Sequence, residues 1–297
     1  MRRVKGSVYL VPGSPNTLIA SKGDELVIVD PGIGVGRADS IAEATAKLGG
    51  GRATIVLTHG HTDHLAAAPS AAEALGATVY APRLCLGIVE DTTLRRLLVY
   101  GGLISEKLAS MPMVAVRAEA LEPGARLPAG ARLLPLPGHT PGHSGVVFEE
   151  DMVVAAGDAV LGEKVLARFG VPFAADLPGW RRSLEKLLEL AEAGYVIVPG
   201  HGPVARDKRA KAMVEANMAA ADRVVDYVKQ AVADHGPLTL DKLAYLATRD
   251  LGAAEPTPRQ MLLNRTALAS VLKLLEEEGY AEPVATEQGP AWKRRNA

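Results

Sequence analysis

Along residues 7–204 the chain alternates short, dense apolar runs with longer stretches whose apolar positions recur every three or four residues. The dense runs SVYLV (7–11), NTLIAS (16–21) and ELVIVD (25–30) predict consecutive strands, with Pro and Gly between the first two. RADSIAEATAKLG (37–49) has helical spacing and ends at glycine. ATIVLT (53–58) predicts a buried strand, and HLAAAPSAAEALG (64–76) a helix after it. ARLLPLPG (131–138), SGVVFEE (144–150) and DMVVAAGD (151–158) predict further strands. The amphipathic helix GWRRSLEKLLELAEAG (179–194) then leads into the strand YVIVPG (195–200). Strands in runs that give way to strand–helix alternation define a layered α/β architecture. The stretch 84–117 is less regular; it predicts helix and reads as an insertion or a lid over a site.

After Pro203 the texture changes. Residues 205–236 form one long helical pattern, LTLDKLAYLATRDLG (238–252) and NRTALASVLKLLEEEGYAEP (264–283) predict two more helices, and VATEQGPAWKRR (284–295) a β-wing. Helix, helix, helix, wing is the layout of a winged-helix module. The chain therefore divides into residues 1–204, a connecting helix 205–236 and a winged-helix-like module 237–297.

Composition narrows the function classes. The 297 residues are 48% hydrophobic and 23% charged, the profile of a large globular domain with a smaller appendage. A formal net charge of -1 gives no general pull toward nucleic acid or an anionic membrane. The longest apolar region, 84–104, contains Glu90, Asp91, Arg95 and Arg96, so no membrane span is expected. The first apolar run is cut by Pro12 and Gly13, too early for a signal-peptide core. Cys85 is the single cysteine; it excludes an internal disulfide and suits a reducing cytoplasm, the expected location.

Candidate chemistry centres on VLTHGHTDHLAAAP (56–69), which packs three histidines and an aspartate into six positions. Alone, it could be a polar turn that happens to be rich in histidine. The rest of the chain argues otherwise: His139 follows one predicted strand, Asp158 closes another, and His201 follows a third. Loops at one end of a sheet converge in space. Alternation at His59 and His61 lets both imidazoles point the same way from an extended backbone, while Asp63 and His64 fall at the turn into the next helix. These residues suit two metal sites with three protein ligands each. One gathers His59, His61 and His139; the other gathers Asp63, His64 and His201, with Asp158 as a bridging carboxylate. Imidazole and carboxylate suit divalent zinc first, with iron or manganese as alternatives.

THGHTDH resembles the HxHxDH signature of the metallo-β-lactamase fold superfamily, and PGHTPGHS, AAGD and PGHG resemble its later metal motifs in the same order. LVIVDPGIG is similar to its early strand, which puts Asp30 in a supporting position. The resemblance spans residues 7–204 and implies a four-layer αβ/βα sandwich with the metals at one edge of the sheets. It implies a supporting rather than ligating role for His143. With the C-terminal module included, the chain resembles the branch that holds β-lactamase-like protein 2 and its prokaryotic relatives, beside glyoxalase-II-like proteins.

A hydroxide bridging two cations is a nucleophile at neutral pH, so the expected activity is hydrolysis of a small ester, thioester or lactone, with Asp63 orienting the nucleophile. The alternatives are a metal-dependent ribonuclease or phosphodiesterase, and a persulfide dioxygenase with a single iron, which the His59, His61, His139 and Asp158 positions also resemble. The would-be recognition helix offers Arg265 and Lys273 and then three glutamates, so a small-molecule substrate is favoured over nucleic acid. The module would instead shape the cleft or form a homodimer contact. Lys164 and Arg168, in GEKVLARFG (162–170) just after Asp158, sit either in a loop that reaches over the metals to hold a substrate anion or in a solvated loop.

Overall fold

The computed structural model describes residues 1–252 and 255–295; residues 253, 254, 296 and 297, which fall in the expected C-terminal module, lie outside the described residues. Two sheets carry the fold. The first runs β1 (Arg2–Lys5), β2 (Val8–Val11), β3 (Thr17–Lys22), β4 (Glu25–Val29), β5 (Arg52–Val56), β6 (Thr78–Pro82) and β7 (Glu119–Leu121), in that spatial order. Its first strands pair antiparallel across tight turns, whereas β4 to β7 pair parallel. Parallel neighbours need a crossover, and α1 (Arg37–Lys47) joins β4 to β5 while α2 (Thr62–Leu65) and α3 (Ala68–Leu75) join β5 to β6. The second sheet is β8 (Ala131–Pro135), β9 (Ser144–Phe148), β10 (Val153–Gly157) and β11 (Val196–Pro199), ordered β11-β10-β9-β8.

The strands read as continuous apolar runs because both of their faces are covered. Between the sheets, Leu10, Leu18, Val27 and Val29 meet Leu133, Val146, Phe148 and Val153. The opposite face of the first sheet, carried by Ile19, Ile28 and Ile55, buries against Ile41 of α1 and Ala68 and Ala71 of α3. The outer face of the second sheet, Leu134, Val147, Val154 and Ile197, is covered by Trp180, Leu184 and Leu187 of α8 (Leu177–Glu192). The result is helix, sheet, sheet, helix: the four-layer sandwich expected.

Between β6 and β7 lie α4 (Leu86–Glu90), α5 (Thr92–Tyr100) and α6 (Glu106–Ala109), the helical content expected of 84–117. A seven-residue helix, α7 (Glu163–Phe169), replaces the expected loop at 162–170. Leu166 is buried beneath it, which anchors the turn, and Gly170, at φ 68°, ends it. The helix expected at 64–76 is broken in two. Gly32 takes the amide of Ala67 on its carbonyl and gives its own amide to the His64 carbonyl, and Pro69 begins the second piece.

The C-terminal region consists of α9 (Lys208–His235), α10 (Leu240–Leu251), α11 (Pro258–Glu277) and a sheet of β12 (Leu238–Thr239), β13 (Ala281–Thr286) and β14 (Gly289–Arg294). α11 starts six residues earlier than its apolar spacing suggests, because the Thr257 hydroxyl caps it through the Gln260 amide at 3.2 Å. The apolar cluster on the outer face of the second sheet continues without a break through Val224 and Val228 of α9, Leu243 of α10 and Leu268, Leu272 and Leu275 of α11. Asn217 of α9, fully buried, accepts the Leu161 amide and donates to the Leu161 and Met213 carbonyls, each within 2.9 Å. Among the described residues, no helix is long and apolar enough to cross a membrane.

Candidate metal centre

Every candidate ligand lies at the C-terminal ends of strands, as ligands do in open α/β sheets. β4 and β5 pair parallel with Val29 opposite Val56, so Asp30 and Thr58 emerge side by side. The Asp30 amide donates to the Val56 carbonyl at 3.0 Å, and Asp30 adopts φ 50°, an unusual conformation for a residue with a side chain. That bend turns its carboxylate under the histidine cluster. There it accepts from the Thr58 amide (2.8 Å), the Thr58 hydroxyl (2.7 Å) and His64 Nδ1 (2.8 Å).

These bonds fix which ring nitrogens stay free. The Thr58 hydroxyl, already donating to Asp30, accepts from His59 Nδ1 at 3.0 Å, so His59 Nε2 keeps its lone pair. His64 donates through Nδ1 to Asp30, which turns Nε2 toward His201 Nε2 at 3.3 Å and Asp158 Oδ1 at 3.4 Å. His139 donates through Nδ1 to the Phe173 carbonyl at 2.8 Å, and its Nε2 faces His61 Nδ1 at 3.0 Å. His201 Nε2 stands 3.1 Å from Asp63 Oδ2, with Ser14 Oγ behind Nδ1 at the same distance.

The ligand-capable atoms form three overlapping groups: His59, His61, His139 and Asp158; Asp63, His64 and His201; and Asp30, His59 and His64. Within each, one atom per residue lies within 4.8 Å of the others. In the third group Asp30 is already saturated with donors. In the first, His59 Nε2, His61 Nε2 and Asp158 Oδ1 are buried with no hydrogen-bond partner among the described residues. Orphaned buried acceptors cost about 1–3 kcal/mol each, and lone pairs that face each other repel unless a cation lies between them. The donor set therefore fits metal ions. Divalent cations bound there would supply Lewis acidity and a water acidified to a pKa of about 7.

Electrostatics separate the two halves. Burial, reinforced by the neighbouring imidazoles of His64 and His61, holds His59 well below the ordinary histidine range. Burial, and then His139, pushes His61 down to about 3. Burial opposes charge on His64 as well, yet Asp158 and Asp30 outweigh it and raise its pKa. Asp63 is lowered to about 2, because the His201 hydrogen bond and the charge of His64 overcome its burial.

His143 lies at the base of the cluster. Its Nδ1 donates to the Leu136 carbonyl at 3.0 Å, and its Nε2 accepts the Asp158 amide at 3.1 Å. Beside it, β10 bulges at Gly157, which adopts φ 53°; a side chain there would stand 2.7 Å from Thr58 Oγ1 and 2.8 Å from His143 Nε2. The bulge aims Asp158 between the two ligand groups. Cys85 is buried and bonded to the Pro141 carbonyl, and burial pushes its thiol up to about 12, as suits a packing residue.

Three contributors carry no metal-ligand signature in the sequence. Thr58 sets the tautomer of His59; its signal is a hydroxyl inside the apolar run just before the histidines. The backbone carbonyl of Phe173 orients His139, and a carbonyl leaves no trace in a sequence. Arg95, expected only as a charge that excludes a membrane span, is 3% exposed. It donates to the carbonyls of Ile88, Val89 and Val114 within 2.8 Å and to Thr62 Oγ1 at 3.3 Å, and so fastens α5 to the histidine turn. Arg95→Met removes those donors from three carbonyls and is expected to lower unfolding free energy by about 3 kcal/mol, read from denaturant midpoints.

The centre opens into a cavity of about 480 Å³. Its walls come from α5, α6 and the following Met111 and Met113, from α7 through Phe173, and from the first turns of α11 at Arg259, Gln260, Leu263 and Asn264. Lys164 and Arg168 both line it, from α7.

Paired sheets with imidazoles and carboxylates gathered at one edge define a class of metal-centred αββα sandwiches. The family model of the metallo-beta-lactamase superfamily matches residues 10–201, and the chain belongs to that superfamily. Solved structures agree on the fold. The metallo-beta-lactamase family protein TTHA1429 from Thermus thermophilus is 24% identical, with a TM-score of 0.71 over 97% of this chain and 99% of that one. A beta-lactamase domain protein from Burkholderia ambifaria is 20% identical, with a TM-score of 0.71 over 97% of this chain and 90% of its own. TTHA1623, solved in a di-iron-bound form, is 28% identical, with a TM-score of 0.53 over 69% of this chain and 97% of that protein.

Proposed function

We propose that the protein is a hydrolase that holds two divalent metal ions, zinc or iron, and cleaves a small ester, thioester or lactone. The observation that carries this reading is the set of buried, unpartnered acceptors on His59, His61 and Asp158, beside a cavity that His61 and Asp158 line. His59, His61 and His139 would hold one ion, Asp63, His64 and His201 the other, and Asp158 both. The di-iron form of TTHA1623 supports a two-metal reading.

Asp63, ionised and partly open to the cavity, accepts a proton-bearing group on its free oxygen and orients the attacking water. His143 holds the Asp158 backbone, and Asp30 holds His64 directly and His59 through Thr58. Phe173, whose ring lies 5.2 Å from that of His61 and 5.3 Å from that of His139, keeps bulk water from the reacting face.

Two observations favour a small molecule over RNA. The cavity falls within the range of about 300–1,000 Å³ typical of small organic ligands. Two of the basic residues of α11 are already paired, Arg265 with Asp241 at 3.1 Å and Lys273 with Glu277 at 2.7 Å, and the third, Arg259, lines the cavity. We read the C-terminal region as a winged-helix derivative whose third helix walls the cavity.

Metal content of protein purified without added metal tests the proposal. Close to two ions per chain is expected, with about one lost in each of His139→Ala and His64→Ala. A single iron that is lost in His139→Ala and retained in His64→Ala would overturn the dinuclear hydrolase in favour of sulfur oxidation.

A further inference from the structure

The cavity wall carries two kinds of side chain, apolar and cationic, and together they name a ligand. One part is apolar: Met111, Met113, Leu166, Phe169, Phe173 and Leu263. The other is cationic. Lys164 and Arg168 of α7 and Arg259 of α11 reach the same cavity from different parts of the chain. The ion pairs nearby go elsewhere: Arg96 to Glu106, Arg181 to Asp222 and Arg182 to Asp176. Among the described residues, none of Lys164, Arg168 and Arg259 has a carboxylate partner, and the only carboxylates lining the cavity are Asp63 and Asp158 of the metal centre.

Two guanidinium groups are also under-satisfied. The Nε atoms of Arg259 and Arg96 are both buried and make no hydrogen bond among the described residues. A buried N–H without an acceptor is costly, and a cavity lined by unpaired positive charge favours an anionic occupant. The apolar wall is built to receive hydrocarbon.

Resting on the hydrolase reading above, we propose that the substrate is an anionic amphiphile: an ester or thioester with an aliphatic body and a carboxylate or phosphate at one end. The aliphatic body packs on the methionine and phenylalanine wall, and Lys164, Arg168 and Arg259 hold the anion. Hydrolysis breaks the carbonyl carbon's bond to sulfur or oxygen. Water supplies the hydroxyl to the acid and the proton to the leaving thiol or alcohol, and no further reactant is consumed.

The test uses the full-length metal-loaded protein with S-hexanoyl-3-mercaptopropionate and its neutral primary amide, S-hexanoyl-3-mercaptopropionamide. Each also has a thioether analogue that cannot be hydrolysed, with CH2 in place of the carbonyl. Calorimetry is expected to show the anionic thioether binding about tenfold or more tighter than its neutral amide, the effect of one well-made charge-assisted bond. In the variant carrying Lys164→Gln, Arg168→Gln and Arg259→Gln together, the ratio should fall to near one, and the ratio of kcat/KM for the two thioesters should follow it.

Equal binding of the two thioethers by the wild-type protein would overturn the proposal. A preference that persists in the triple variant would also overturn it, by placing the anion on the metals. Selective binding of the anionic thioether without turnover of either thioester would leave the anion site standing and sink the hydrolase reading. Turnover of both thioesters at equal kcat/KM would do the reverse.

Discussion

Replacing Asp30 with alanine is expected to weaken metal binding by about 10–100-fold, the usual effect of removing a carboxylate that orients a ligating histidine. Asp30 is more exposed to this effect than a simple partner would be, because one carboxylate serves both halves of the centre. It accepts from His64 directly and from the Thr58 hydroxyl that fixes the His59 tautomer. Without it, the Thr58 amide is left buried and unpaired, at about 1–3 kcal/mol. Alanine must also hold φ 50°, which adds about 1 kcal/mol. Chelator competition reads the affinity, and denaturant unfolding of the metal-free protein reads the stability. Wild-type metal affinity in Asp30→Ala would mean that packing alone orients the imidazoles. Asp30→Asn, which keeps the volume, should fall between.

Gly200→Ala should be nearly as damaging by a different route. A methyl group there would stand 2.4 Å from Asp158 Oδ1 and 2.6 Å from His64 Cε1. The backbone cannot retreat, since the Gly200 amide donates to the Gly157 carbonyl at 2.7 Å and its own carbonyl accepts the Asn16 amide at 2.7 Å. Asp158 and His64 must give way instead. Misplacement by about 1 Å costs on the order of a hundredfold in rate, so kcat/KM for a reactive thioester should fall by that much or more, with less than two ions bound per chain. Gly102→Ala, where nothing lies within 4 Å, is the control and should retain full metal content. Full metal content and rate in Gly200→Ala would show that the centre has more room than its geometry implies.

Much of this architecture is legible in the sequence, and the reasons are local. Dense Val and Ile runs mark β4, β5, β10 and β11 because each is buried on both faces. The histidines and aspartates mark strand ends because polar side chains so closely spaced interrupt apolar runs. What escapes the sequence depends on contacts distant along the chain. β1 has only Val4 buried and so lacks a strand-like run. The break between α2 and α3 depends on Gly32, far upstream. α7 is too short for a period to show. Arg95 reads as a surface charge because nothing local reveals the three carbonyls it serves. The cavity, too, is invisible in any single stretch, since its walls come from segments as far apart as α5 and α11.

That distribution has a consequence for how such a protein can change. The residues that gather at the centre come from the first sheet's turn and from the ends of β8, β10 and β11. Those that line the approach come mostly from 95–113, 164–173 and 259–264. Apart from Arg95, which fastens the histidine turn, and Phe173, which touches His61 and His139, substitutions in the second set reshape the approach without contacting the candidate ligands. A lineage can thus exchange one diet for another by drift in its walls while its chemistry is inherited intact.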